Sequence, residues 1–255
     1  ITDVDRGGVE DITEYTWSPD SRWLAYGKTN STRMQSIWTW SAASGKATQL
    51  TSDAANEFSP VFVPKGRYLY FLSNRDYANL AFSAYEFNYL YTNATRIYAA
   101  TLAADGPPLN RPKSDETGAR PAEPAADAAD GKAPKKKDDA PLRFDLEGFN
   151  ERVVALAVPA GNYQGLSASP DAVFFGAAPP QGGPLALKTL ALEGDKVEDV
   201  AAGVTAYAIS ADGGKLLLRT GNDWSIVDAK PGQDASKSKL DLGGLELKID
   251  PRIEW

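Results

Sequence analysis

The sequence predicts an all-β protein, a β-propeller of four-stranded antiparallel blades with about four blades visible, which leaves the ring open to being incomplete. Three observations predict it. A Ser-Pro-Asp type turn recurs, in "WSPDSRWLAY" (17–26), "SPVFVPKGRYLYFLS" (59–73), "SASPDAVFFGA" (167–177) and "ISADGGKLLLRT" (209–220). The strands that follow these turns, "RWLAY", "RYLYFL", "AVFFG" and "KLLLR", are almost continuously apolar, which implies burial on both faces. The turns at Pro19, Pro64, Pro170 and Ala211 lie about 45, 106 and 41 residues apart, and the first and last intervals match the period of a propeller blade.

The elements follow in order. Across these turns Pro presets φ for turn entry, and Asp and Gly tolerate the tight backbone. A second hairpin follows in "SIWTWSAASGKATQLT", with its turn at Ser44-Gly45-Lys46. The second unit carries two insertions. The first, Asn74 to Thr95, is aromatic-rich. The second, about Asp105 to Pro141, is rich in Pro, Ala, Lys and Asp and almost free of large apolar side chains; it is expected to be disordered because it cannot bury enough surface to offset ordering entropy. The blade resumes with "RVVALAVPAG" (152–161) as its outer strand. The third unit repeats the plan with a turn at Glu193-Gly194-Asp195, and "DWSIVDAKPG" opens the second hairpin of the fourth. Blades are thus expected across 1–249, with 250–255 starting a linker or helix. Trp17, Trp23, Trp38 and Trp40 are expected to pack between blades. A β-sandwich would show similar hairpins with less regular spacing, a solenoid would have shorter repeats, and an open array of four blades would expose two apolar faces.

Composition narrows the chemistry. The 255 residues contain no Cys and no His. Thiolate nucleophiles, disulfides and Cys/His zinc sites are therefore excluded, and the chain cannot complete a Ser-His-Asp triad alone. We assign no catalytic, metal or cofactor residues. With a net charge of -7 and Lys135-Lys136-Lys137 followed at once by Asp138-Asp139, no basic face for nucleic acid is expected. No apolar run approaches the roughly 20 residues that span a bilayer.

These residues resemble a family. "EYTWSPDSRWLAYGKT" resembles the Trp-Ser-Pro-Asp-Ser blade motif of tricorn-type serine peptidases. "SPVFVPKGRYLYFLSNRDYANLAFSAYEFNYLYTNATRIYAATL" is similar to their following blade, including Leu72 to Asp76 and Thr95-Arg96-Ile97-Tyr98. "FDLEGFNERVVALAVPAGNYQGL" resembles the next signature, and "ELKIDPRIEW" (246–255) resembles the exit toward the protease core. The resemblance implies the C-terminal part of the N-terminal propeller region of such a peptidase. The implied role is non-catalytic: to restrict or guide peptide access to a catalytic core outside this chain. Implied partners are peptide or unfolded polypeptide and the catalytic and PDZ-like domains of the parent protein, with self-association as a further expectation. The implied compartment is the periplasm or the exterior, with the cytoplasm as the alternative, any export signal lying upstream of Ile1. The alternative role is a stand-alone TolB-like scaffold in the cell envelope. A third reading is the gating propeller of a prolyl-oligopeptidase-like enzyme.

Binding is expected at the aromatic insertion. Its candidate residues are Arg75, Tyr77, Phe82, Tyr85, Phe87, Tyr89 and Tyr91, because exposed aromatic side chains are enriched at interfaces. The competing readings are a loop folded back over its own blade and, for Arg75 and Asp76, a structural ion pair at a strand end.

Overall fold

The computed structural model describes residues 3–64, 66–77, 80–82, 89–91, 93–107, 109, 142–192 and 194–244. The sequence-predicted disorder falls mostly at 110–141, and the predicted exit segment at 250–255; both lie outside the described residues.

The strands form four consecutive blades. Blade 1 is β1 (Tyr15–Trp17), β2 (Trp23–Thr29), β3 (Gln35–Ser41) and β4 (Lys46–Gln49), in that order across the sheet. Blade 2 is β5 (Glu57–Phe62), β6 (Tyr68–Ser73), β9 (Arg96–Thr101) and β10 (Val153–Ala155). Between β6 and β9, β7 (Leu80–Phe82) and β8 (Tyr89–Tyr91) form a separate two-stranded sheet. Blade 3 is β11 (Tyr163–Ala168), β12 (Ala172–Ala177), β13 (Leu185–Ala191) and β14 (Val197–Val204). Blade 4 is β15 (Ala206–Ile209), β16 (Lys215–Thr220) and β17 (Asp223–Asp228), with an isolated bridge from Ser225 to Lys239 where a fourth strand would run. Every pairing is antiparallel.

The recurring turn works through its serine. Ser18 Oγ donates to Asp20 (2.7 Å) and accepts from the Trp23 amide (2.9 Å). Ser210 Oγ does the same with Asp212 (2.6 Å) and the Lys215 amide (2.9 Å), and Ser169 Oγ accepts from the Ala172 amide (3.0 Å). A short hydroxyl side chain thus supplies the bonds that close the hairpin. Blade 2 has Val63 in this place and closes instead through its backbone, the Gly66 amide donating to the Val63 carbonyl (2.7 Å) with Gly66 at φ 66°.

Three apolar clusters join consecutive blades. Ala25, Ile37, Leu69, Phe71, Tyr98 and Ala100 lie between blades 1 and 2. Tyr70, Leu72, Ile97, Val173 and Phe175 lie between blades 2 and 3, and Phe174, Leu187, Val204, Leu216 and Leu218 between blades 3 and 4. Strand β6 shows why its sequence is apolar throughout: Leu69 and Phe71 serve one interface, Tyr68, Tyr70 and Leu72 the other, and all six of its residues are buried. Each such aliphatic or aromatic side chain contributes roughly 1.5–3 kcal/mol on burial. Beyond the insertion, Phe144 packs edge-on against Trp23 (5.0 Å) and Phe62 (6.1 Å) and against Phe149, and the Leu142 amide donates to Asp20 (2.8 Å). The "FDLEGF" stretch is therefore a seal across the join between blades 1 and 2.

None of the three clusters joins blade 4 to blade 1. Among the described residues, no such cluster covers the face of blade 1 turned away from blade 2 or the face of blade 4 turned away from blade 3. The expectation that all four tryptophans pack between blades holds for Trp23. Trp17 is 48% exposed, and Trp38 and Trp40 are half-buried beside it on the face of blade 1 turned away from blade 2. The reason is register: Trp17 and Trp40 both pair with Leu24, and Trp38 with Tyr26, so they share the face opposite Ala25.

Candidate functional site

The first strands of the blades gather together: β5 packs against β1 on one side and β11 on the other, and β11 against β15. Two of them carry a bulge at the same place. The register of β5 shifts between Phe58 and Val61, with Ser59 at φ 51°, and that of β11 between Gln164 and Ser167, with Gly165 at φ 62°. Bulges bend a strand and release backbone groups from the ladder. A neighbouring blade takes up those groups in each case. The Glu14 carboxylate accepts the Ser59 amide (2.7 Å) and hydroxyl (3.1 Å). The Tyr207 hydroxyl donates to the Gly165 carbonyl and to that of Phe174 (3.1 Å). Burial pushes the Tyr207 pKa up, which keeps it a neutral donor.

The aromatic insertion leaves blade 2 at the same end of β5. Its root is a buried ion pair. Glu57, first residue of β5, is 2% exposed, and its Oε1 accepts from Arg75 Nε (2.8 Å), Arg75 Nη2 and Ser73 Oγ (3.0 Å). The Arg75 guanidinium lies over the Tyr98 ring (5.1 Å) and the Phe71 ring (5.5 Å) and reaches Asn150 (3.4 Å). Asp76 pairs with Arg96 at 3.4 Å. Burial and the Asp76 carboxylate push the Tyr98 hydroxyl up in pKa. Thr95 Oγ1 donates to Asn74 (2.9 Å), and Thr95 exchanges backbone bonds with Gly161 (3.0 and 2.9 Å). Tyr77, at φ 47° and 45% exposed, donates its hydroxyl to the Ala54 carbonyl in the connection from blade 1.

Of the sequence-predicted residues, Arg75 and Tyr77 are therefore brought together at the root, and both are engaged by the scaffold. Phe82 pairs with Tyr89 and Leu80 with Tyr91 across the β7–β8 ribbon. Tyr85 and Phe87 lie outside the described residues. Sequence reasoning missed Glu57 and Glu14. The available signal was an acid beside otherwise apolar strand residues, in "NEFSPVF" and "TEYTW". Among the described residues no group of three or more Asp or Glu side chains is placed to hold a metal ion.

The fold and this rooted ribbon define a β-propeller module with an inserted hairpin. A family model described as the tricorn protease second beta propeller domain matches residues 1–230, and the chain belongs to that family. It is 26% identical over 274 residues to tricorn protease homolog 1 of Streptomyces coelicolor, covering 100% of this chain and 25% of that one. It is 26% identical over 265 residues to the tricorn protease homolog of Saccharolobus solfataricus, covering 99% and 23%. The crystal structure of the tricorn protease superimposes with a TM-score of 0.68 at 20% identity, over 89% of this chain and 22% of that chain. The chain thus spans about a quarter of the length of these relatives.

Proposed function

We propose that this chain is the non-catalytic propeller portion of a tricorn-like serine peptidase, guiding extended peptides toward a catalytic core elsewhere in the parent protein. Its homologues are tricorn-like proteases, which favours a peptidase parent over a stand-alone envelope scaffold. The observation that carries the guiding role is the ribbon. Among the described residues β7 and β8 pair with each other, and the outer edge of a two-stranded ribbon offers backbone donors and acceptors to a further strand. An extended peptide can add to such an edge as a further strand, its main chain supplying affinity. A two-stranded ribbon is marginal in water by itself, and the ties at Arg75, Tyr77 and Thr95 hold its base.

The test uses the purified chain and a variant with residues 79–92 replaced by a short Gly-Ser link. Fluorescence anisotropy of labelled extended peptides should show saturable binding to the chain and at least about tenfold weaker binding to the variant. No peptide should be cleaved. Equal binding by both proteins removes the ribbon from the reading, and hydrolysis by the chain alone overturns the non-catalytic role.

A further inference from the structure

The two insertions leave blade 2 from opposite ends. The aromatic one joins the end of β6 to the start of β9, the second joins the end of β9 to the start of β10, and these strands run antiparallel in turn. The residues that follow the second insertion nevertheless return to the root of the first. Asn150 Oδ1 accepts from Arg75 Nη2 (3.4 Å), and the same guanidinium donates through Nε to Glu57 Oε1 (2.8 Å).

Segment 142–152 is held as a strap along the join between blades 1 and 2. At its start the Leu142 amide donates to Asp20 (2.8 Å). In its middle the Asp145 amide donates to the Leu102 carbonyl (2.9 Å), and Asp145 Oδ2 accepts the Ala104 amide (2.8 Å). At its end Arg152 donates to the carbonyls of Thr101 (3.1 Å), Glu147 (2.8 Å) and Asp145. Phe144 and Phe149 share one apolar cluster with Phe71 and Tyr98, whose stacked rings (6.0 Å) lie under the Arg75 guanidinium. Arg75 thus has three supports: a carboxylate from β5, a ring pair from β6 and β9, and a side-chain amide from the strap. The first two are fixed in the ladder of blade 2. The strap, among the described residues, forms no strand before β10. A segment held by side chains and isolated bonds opens locally at lower cost than the strands beside it.

We infer that segment 142–152 regulates the ribbon, its docking being coupled to the stance of the ribbon's root through Arg75. With the strap docked, Asn150 completes the fixation of the guanidinium, and the root at Arg75, Tyr77 and Thr95 is held in one arrangement. With the strap open, Arg75 keeps Glu57 but loses Asn150, and its supporting ring pair loses Phe149 and Phe144 from the cluster. Coupling between two sites is reciprocal, so a peptide bound at the ribbon in turn holds the strap down. That last consequence rests on the peptide-guiding reading; the link from strap to root does not.

Hydrogen exchange on the purified chain, with Phe144→Leu and Asn150→Ala, tests the link. Phe144→Leu removes the edge contacts to Trp23 and Phe62 but keeps an apolar side chain in the cluster. Asn150→Ala removes the link and leaves the seal in place. Each variant should speed exchange at the root amides of Arg75, Tyr77 and Thr95 at least about fivefold, while Leu216–Leu218 in blade 4 keep the wild-type rate. Fluorescein-labelled oxidised insulin B chain supplies the second readout. Both variants should bind it at least about fivefold more weakly than wild type, and saturating amounts should slow exchange at Leu142 and Asp145 in wild type but not in Asn150→Ala. Root exchange at the wild-type rate in both variants overturns the inference. Equal acceleration in blade 4 also overturns it, because the whole fold has then weakened. A loosened root with unchanged or undetectable peptide binding overturns the ribbon as the peptide site and leaves the strap-to-root link standing.

Discussion

Replacing Arg75 with Ala separates a structural from a contact role at the root of the insertion. The Glu57 carboxylate is 2% exposed, and without Arg75 its Oε1 retains Ser73 Oγ as a donor. Among the described residues its Oε2 has no hydrogen-bond partner. A buried charge deprived of its partner costs about 3–5 kcal/mol, because the desolvation of the survivor is no longer compensated. The loss of the guanidinium from above Tyr98 and Phe71 adds about 0.5–1 kcal/mol. For a domain of this size roughly 3 kcal/mol lowers Tm by about 6–12 °C. Six tryptophans provide the fluorescence signal for thermal and urea unfolding. The paired change Glu57→Gln with Arg75→Met should restore much of the loss, since neither residue then leaves a stranded charge. An Arg75→Ala protein within about 1 kcal/mol of wild type, or a double variant no more stable than the two single losses combined, refutes the reasoning. Unchanged stability with weakened peptide binding would make Arg75 a contact residue.

Two further outcomes follow. Gly213 sits at φ 74° with Pro170 Cδ 2.6 Å and Ser169 Cβ 2.9 Å from where a Cβ would stand, whereas Gly221, at φ 61°, has nothing within 4 Å. Gly221→Ala should cost about 1–2 kcal/mol from backbone strain alone; Gly213→Ala should cost measurably more in urea midpoint, because the turns of blades 3 and 4 must also move apart. Burial pushes the Asp5 carboxyl up, yet its bonds to Tyr26, Lys28 and the Arg6 amide outweigh this and hold its pKa below 3.8. A lowered folded pKa stabilises fully above the unfolded value and fades as pH falls through the folded one. The stability gap between wild type and Asp5→Asn should therefore be constant above about pH 4 and close in more acid solution, read as urea midpoints across a pH series.

The blades were legible because their signals are local. Ser18, Ser169 and Ser210 close their own hairpins, and a residue that bonds within five positions leaves its mark in a short window of sequence. Legibility failed where the deciding partner is distant. Glu57 meets Arg75 eighteen positions away across a hairpin, and nothing in "NEFSPVF" announces the pairing. Trp38 and Trp40 read as interior because they sit in an apolar strand, but a strand's own sequence does not reveal whether a neighbour covers its second face. The three consecutive leucines of β16 make the same point: Leu216 and Leu218 are fully buried against blade 3, while Leu217 faces outward.

The Phe144 seal has a consequence for the chain's history. It reaches Trp23 and Phe62 from beyond the long second insertion, and the Leu142–Asp20 bond spans 122 positions. During synthesis the join between blades 1 and 2 stays unfinished until residue 144 has emerged, however early the strands themselves form.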